Sequence, residues 1–423
     1  AEPWSDVAEL IRDYRVGGVV LSVEKGNFRN DGDTPKQVAQ LTAELQGLAL
    51  THSGGEALLE PLLVGQAPVG SKAVVTSGPV SVTVPFIPLF VAAEHEGDGY
   101  PHTAIRGGMT PLPSSMALGA TWNPTDTYKI GEVVGRELSA LGINMLLGPV
   151  LDVLNAPRPS SRGDMGVRSL GGDPFWVSKL GRSYIEGVHQ GANQRMLTVA
   201  KHFPGLGGAD RRPDEEVPTV PKSLAELRTL ELIPFASVAE GDYPPGVTDA
   251  LMSSHIRYRG FQGNMRQVTR PISLDAQNLQ MLLSEPSFSR WREQGGLMVT
   301  DALGVPALRR YYDPELKSFP HKRIALDAFL AGNDLLFLDR YGLTDSWSEQ
   351  LGNVKATIEF FREQYQADPN FRERVDESVK RILRAKYRLY PGFEVADIVP
   401  DYDKVSESVE TGFSEVAQVA RDG

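Results

Sequence analysis

Cysteine is absent from this 423-residue chain. That one absence excludes disulfide cross-links, thiolate nucleophiles and sulfur-ligated metal sites. Long apolar runs are missing too: no stretch approaches the roughly 18 residues a spanning helix needs, so no membrane partner is expected. The first residues, AEPWSDV, lack the basic and apolar segments of a secretion signal. The compartment stays open, an extracytoplasmic one included. Basic charge is in deficit, with 43 Lys and Arg against 54 Asp and Glu and a net charge of −11. Nucleic acid is therefore not an expected partner either. The seven histidines show no metal-ligand spacing, and no glycine run has the strand and helix setting of a dinucleotide site. Neither a metal nor a cofactor is expected. What remains, 41% apolar and 23% charged, is the composition of a soluble folded chain with a large core.

Short apolar segments alternate with longer amphipathic ones, the pattern of βα units around a parallel sheet. Strands are expected at 18–23, 89–93, 143–148, 198–203, 250–255, 297–300 and 335–338. Between them, residues 123–142 carry Asn123 or Thr125 as a cap, Ile130, Val133, Val134, Leu138 and Leu141 at helical spacing, and Gly142 as a stop. Residues 51–85, rich in Gly, Pro, Ser and Val, interrupt this rhythm as an insertion, and the alternation over 71–84 predicts a small hairpin. Beyond Arg340, Val375, Val379, Ile382 and Leu383 recur at helical spacing until a Pro391-Gly392-Phe393 break. A helical extension over 341–423, packed on the wall of the fold, is expected from this.

The chemistry gathers at strand ends. In LTVAKHFPGLGGADRRPDEEVPTV, residues 197–220, an apolar strand delivers Lys201 and His202 to a glycine-rich loop that ends in Asp214, Glu215 and Glu216. Finishing a buried run with a cation is costly unless the strand opens on a polar site. An ordinary solvated acidic loop is the other reading. Asp301 ends the apolar run LMVT and is followed by Ala-Leu-Gly, which suits an active-site position on a barrel and equally suits a helix cap.

The KHFPG motif at Lys201 resembles the catalytic-domain signature of glycoside hydrolase family 3, within the branch of bacterial β-N-acetylglucosaminidases (β-N-acetylhexosaminidases). In the same order the chain carries PLFVAAEHEGDG from Pro88, GMTPLPSSMALGATWNP from Gly108, GPVLDV from Gly148, VRSLGGDP from Val167, LMSSHIRY from Leu251 and GLMVTDALG from Gly296. The match runs from about residue 16 to 390. It implies an α/β fold, a TIM-like (β/α)8 barrel over 1–340 with its first strand missing or altered, and a C-terminal run whose last helix, SEVAQVARDG, opens toward a further domain.

The resemblance also implies exo-acting, retaining hydrolysis of a β-linked sugar, with N-acetylglucosamine the favoured unit. Such chemistry needs a nucleophile and a proton donor. Asp301 matches the nucleophile of the family's TD motif. Where the branch carries a histidine after KHFPG, Asp214 stands here, with Glu215 as the alternative; a carboxyl group serves if its pKa is raised. Lys201, His202, Arg168, Glu94 and His255 are the sugar-binding candidates, with Glu94 replacing the family's usual aspartate and His255 also readable as structural. Asp152 organises its strand end. The partner expected is a carbohydrate. A β-glucosidase-type exo-glycosidase and a non-catalytic carbohydrate-binding protein on the same scaffold are the alternatives, and the oligomeric state is not readable.

Overall fold

The computed structural model describes residues 3–50, 56–58, 81–83, 87–99, 101–161, 163–241, 245–263 and 269–423. Six parallel strands form one curved sheet in chain order: β1 (Gly18–Val20), β2 (Phe90–Ala93), β3 (Met145–Leu146), β4 (Leu197–Phe203), β5 (Ala250–Ser253) and β6 (Leu297–Thr300). Phe90, Ala92, Met145, Leu197, Val199, Ala250, Met252, Leu297 and Val299 fill one buried cluster, while the alternate residues Val91, Ala93, Leu146, Ala200, Leu251 and Met298 join another. Burial on both faces is why the strands read as unbroken apolar runs.

The expected (β/α)8 barrel, with its first strand missing or altered, does not close among the described residues. Six strands leave the sheet open, although the architecture is TIM-like. The segment expected as a seventh strand, 335–338, makes a single bridge, Val299 to Leu335, with Thr300 N donating to Leu335 O (3.0 Å) and Leu303 N to Phe337 O (2.9 Å). Phe337 N turns instead to the Thr300 hydroxyl (2.9 Å), so a side chain takes the place of a ladder carbonyl and regular pairing stops. Other strands are shorter than expected for local reasons. Pro149 has no N–H to extend β3, and after β1 the Ser22 hydroxyl accepts from Glu24 N and starts a 3-10 turn.

Helix α1 (Pro124–Ala140) begins where the sequence places it, with Asn123 rather than Thr125 as cap, accepting from Thr125 N at 3.1 Å. It lies tightly along α2 (Pro174–Gly191): a Cβ built on Gly187 would stand 2.0 Å from the Tyr128 carbonyl, so only glycine permits this approach. Helix α3 (Pro306–Tyr312) follows β6, and α4 (Trp347–Ala367) leads to α5 (Pro369–Leu389).

α5 packs on the sheet, and of the expected apolar set Ile382 lies half-buried against the strand cluster. Phe371, Ser378, Ala385 and Leu389 are buried, and Val379 is 42% exposed. Polar anchors also hold the helix. Buried Asp334 takes Arg292, Arg374 and Arg381 together with the Ser378 hydroxyl. Buried Lys386 donates to the Gly17 and Pro88 carbonyls at 2.7 and 2.6 Å and lies 4.6 Å from the Phe90 ring centre. The closing helix α6 (Phe413–Asp422) returns to α1, where Thr411 N donates to buried Glu137 and Val419 is buried. The hairpin expected over 71–84 lies outside the described residues apart from Ser81–Thr83, whose backbone pairs antiparallel with Glu56–Leu58. Among the described residues no helix is long and apolar enough to cross a membrane.

Candidate active site

Parallel strands carry their C-terminal ends to one edge, and the polar candidates follow those ends: Glu94 after β2, Asp152 after β3, Lys201 and His202 at the end of β4, His255 after β5, Asp301 after β6. Two groups of contacts connect them.

The first is a buried ion cluster. Lys201 has no exposed surface, and its ammonium lies 2.7 Å from Glu94 and 2.6 Å from Glu96. Arg168 grips both oxygens of Glu96 at 2.7 and 2.9 Å, the planar fork matched to the carboxylate. Burial alone would raise the Glu96 pKa, but the Lys201 and Arg168 charges overcome it and hold the group well below the usual range. Burial likewise opposes the Lys201 charge, while Glu94 and Glu96 raise its pKa. Lys201 and Arg168 thus orient carboxylates, and Glu94, with 35% of its side chain exposed, is the member open to the cleft. Glu96, left without a role by sequence reasoning, is the hub; its signal was the spacing of two from Glu94 in EHEGD.

The second group orients a ring. His202 Nδ1 donates to fully buried Asp152 at 2.7 Å, which leaves Nε2 as the open position. The other Asp152 oxygen accepts from Leu206 N and fixes the start of the glycine-rich loop. The Lys201–His202 peptide is cis. Asp152 therefore organises the strand end, as expected.

His255 is placed differently from the sugar-contact expectation. It is 1% exposed, with Nδ1 on the Ser273 hydroxyl (2.7 Å) and Nε2 donating to Ala302 O (3.0 Å), so no ring nitrogen remains for a substrate. It fixes the backbone next to Asp301 instead.

Asp301 continues the ladder through its N–H to Ser253 O (3.0 Å), and its Oδ1 accepts from Ala302 N at 2.8 Å. It does not cap the following helix. The residue at the N-cap of α3 is Val305, and no side chain caps that end. The Asp214 loop docks on the same helix, with Ala307 N donating to Asp214 O at 2.9 Å and Arg310 to Glu215 O. Burial and the Asp301 charge raise the Asp214 pKa, partly offset by His202 and His255. Asp214 is itself exposed to solvent. No described residue pairs with its carboxyl. Its neighbours differ: Asp210 and Glu216 both pair with Arg211, and Glu215 is 3.8 Å from Arg212. Of the loop acids, Asp214 is the one whose pKa the Asp301 charge raises.

Concavity alone would point elsewhere. A groove of about 620 Å3 lies between the last turns of α1 and α2 and residues 396–408, where Arg195, Tyr390 and Lys404 line it. Its surroundings hold none of the strand-end groups, so the chemistry of the side chains decides the site. Glu96, Asp98 and His102 bring ligand-type atoms within 4.8 Å of one another. A cation there would face Lys201 and Arg168, and His102 Nδ1 already bonds Asp98 at 2.8 Å, so the set fits a metal poorly.

The model described as the glycosyl hydrolase family 3 N-terminal domain matches residues 76–385. The chain belongs to that family. Among curated relatives, beta-hexosaminidase A of Pseudoalteromonas piscicida is 27% identical over 319 residues, 73% of this chain and 44% of that protein. Beta-hexosaminidase of Pseudomonas aeruginosa is 32% identical over 171 residues, 40% of this chain and 47% of that one. A β-N-acetylglucosaminidase structure from a Paenibacillus species superposes with a TM-score of 0.70 at 25% identity, covering 99% of this chain and 64% of its own. The chain spans about half the length of the curated relatives it matches.

Proposed function

We propose that this chain hydrolyses β-linked glycosides from the non-reducing end with retention, and that N-acetylglucosamine is the sugar released. Asp301 attacks the anomeric carbon while Asp214 gives its proton to the departing oxygen. Asp214 then takes a proton from the water that releases the sugar from Asp301. What supports this reading is the placement of Asp214: its loop docks on the helix that follows Asp301, its exposed carboxyl has no partner among the described residues, and the Asp301 charge helps raise its pKa. Glu94 and the free Nε2 of His202 are the hydrogen-bonding groups for the sugar, set in place by Lys201, Glu96, Arg168 and Asp152. Residues 1–340 form the catalytic unit and 341–423 brace it.

The choice of glycone rests on the names of the relatives. Turnover of 4-nitrophenyl N-acetyl-β-glucosaminide, lost in Asp301→Asn, supports the reading. Turnover confined to the β-glucoside makes the chain a β-glucosidase, and saturable sugar binding without turnover makes it a carbohydrate-binding protein.

A further inference from the structure

Many arginines in this acidic chain sit against carboxylates, as Arg168, Arg211, Arg228 and Arg292 do. Arg257 does not. It lies in the two-residue strand Arg257–Tyr258, which pairs in parallel with Thr219–Val220 at the foot of the Asp214 loop, and its N–H donates to Pro218 O at 3.0 Å. Tyr258 turns inward, fully buried with its hydroxyl on Gly205 O, so Arg257 turns the other way. Its guanidinium stacks 5.4 Å from the ring centre of Tyr311 on α3, the helix that holds Asp214 O. Its Nε is buried without a partner, and no described residue accepts from its two outer nitrogens, which are not enclosed. A charged neighbour is Arg211, which is itself paired with Asp210 and Glu216.

A half-buried guanidinium set over an aromatic ring, with its fork unclaimed by any described residue, offers an oxyanion a forked contact. The proton donor stands beside the leaving oxygen, so the loop carrying Asp214 borders the subsite of the departing group. We propose that Arg257 anchors an oxyanion subsite on that side of the cleft, which takes a carboxylate carried by the leaving part of the substrate; a free inorganic phosphate offers the same chemistry. The assignment to the leaving-group side rests on the hydrolase reading above, whereas oxyanion binding itself does not.

The test compares two N-acetyl-β-glucosaminides, of neutral 4-methylumbelliferone and of 3-carboxyumbelliferone. The ratio of kcat/KM for the carboxylated over the neutral substrate should fall about tenfold in Arg257→Gln, the size of one charged contact, and recover in part in Arg257→Lys. An unchanged ratio overturns the subsite. Calorimetry with free 3-carboxyumbelliferone and with phosphate reads binding independently of turnover, so it still decides if neither glycoside is cleaved. Binding of the coumarin acid alone, lost in Arg257→Gln, supports a substrate carboxylate; binding of phosphate alone supports the free ion. Failure of both to bind the wild-type protein refutes the proposal.

Discussion

Replacing Asp214 by alanine separates proton donation from every other role of its loop. The loop backbone is held by Ala307 N and by Arg310, neither of which contacts the Asp214 side chain, so the fold should survive the change. General acid catalysis contributes about 10²–10⁴-fold, equivalent to roughly 3–5 kcal/mol. Because Asp214 is exposed to solvent, water can reach the leaving oxygen when the carboxyl is gone, and the loss should fall in the lower half of that range. Alkyl and sugar aglycones, which leave only when protonated, should therefore slow by about 10²–10³. A 2,4-dinitrophenyl glycoside, whose departing oxygen needs no proton, should slow little in its first step and accumulate the glycosyl-enzyme, because the base for the second step is missing. Azide, which attacks without a base, should restore turnover and yield a β-glycosyl azide. Equal losses on both substrate classes, with no rescue, would refute the assignment of Asp214. The pH profile gives a second check. Asp301 raises the Asp214 pKa, so in Asp301→Asn the Asp214 carboxyl, followed by NMR, should titrate at lower pH than in the wild type.

Three further changes test the supports around the site. Lys201→Met leaves Glu94 without its ammonium and Glu96 with Arg168 alone, so thermal melts should show a destabilisation of about 3–5 kcal/mol. Asp334→Asn weakens a buried acid held by three arginines; since the native Asp334 pKa is lowered, its contribution is present above the ordinary carboxylate value and is lost as the pH falls through the native one. Denaturant melts of the variant should thus be less stable at pH 7 and converge on the wild type in acid. Lys386, pushed down to about 7 by burial, is uncharged in the fold but charged in the unfolded chain between about pH 7 and 10.5, so wild-type stability should rise across that window. Lys386→Met should flatten that slope, and an unchanged slope would mean that Lys386 stays protonated in the fold.

The parallel α/β plan was legible because strands β2 to β6 are buried on both faces, so apolar runs mark the strands and the residue at the end of a run marks a candidate site. Asp301 and Lys201 became candidates this way, and Glu94 through the resemblance to the family's motif. Closure of the sheet was not legible: whether 335–338 pairs regularly depends on the Thr300 hydroxyl capturing Phe337 N, a contact across 37 residues. The same limit left His255 open between a sugar contact and a structural role until Ser273 and the Ala302 carbonyl take both nitrogens, and left the role of Glu96 open, since it depends on Arg168 arriving from another loop. Along α5, apolar spacing marked Ile382 but not buried Lys386 or the Ser378 hydroxyl on buried Asp334, because polar anchors leave no apolar periodicity. Arg257 gave no sequence signal at all, since an unpaired arginine is defined by the absence of a neighbour in space.

The central claim is that Asp301 forms a covalent bond to the anomeric carbon of the sugar. Incubation with a 5-fluoro N-acetylglucosaminyl fluoride, followed by intact-mass measurement and peptide mapping, tests it directly. One glycosyl unit per chain, located on Asp301 and absent in Asp301→Asn, is the expected result; an adduct on another carboxylate, or fluoride release with inverted product and no adduct, would contradict it.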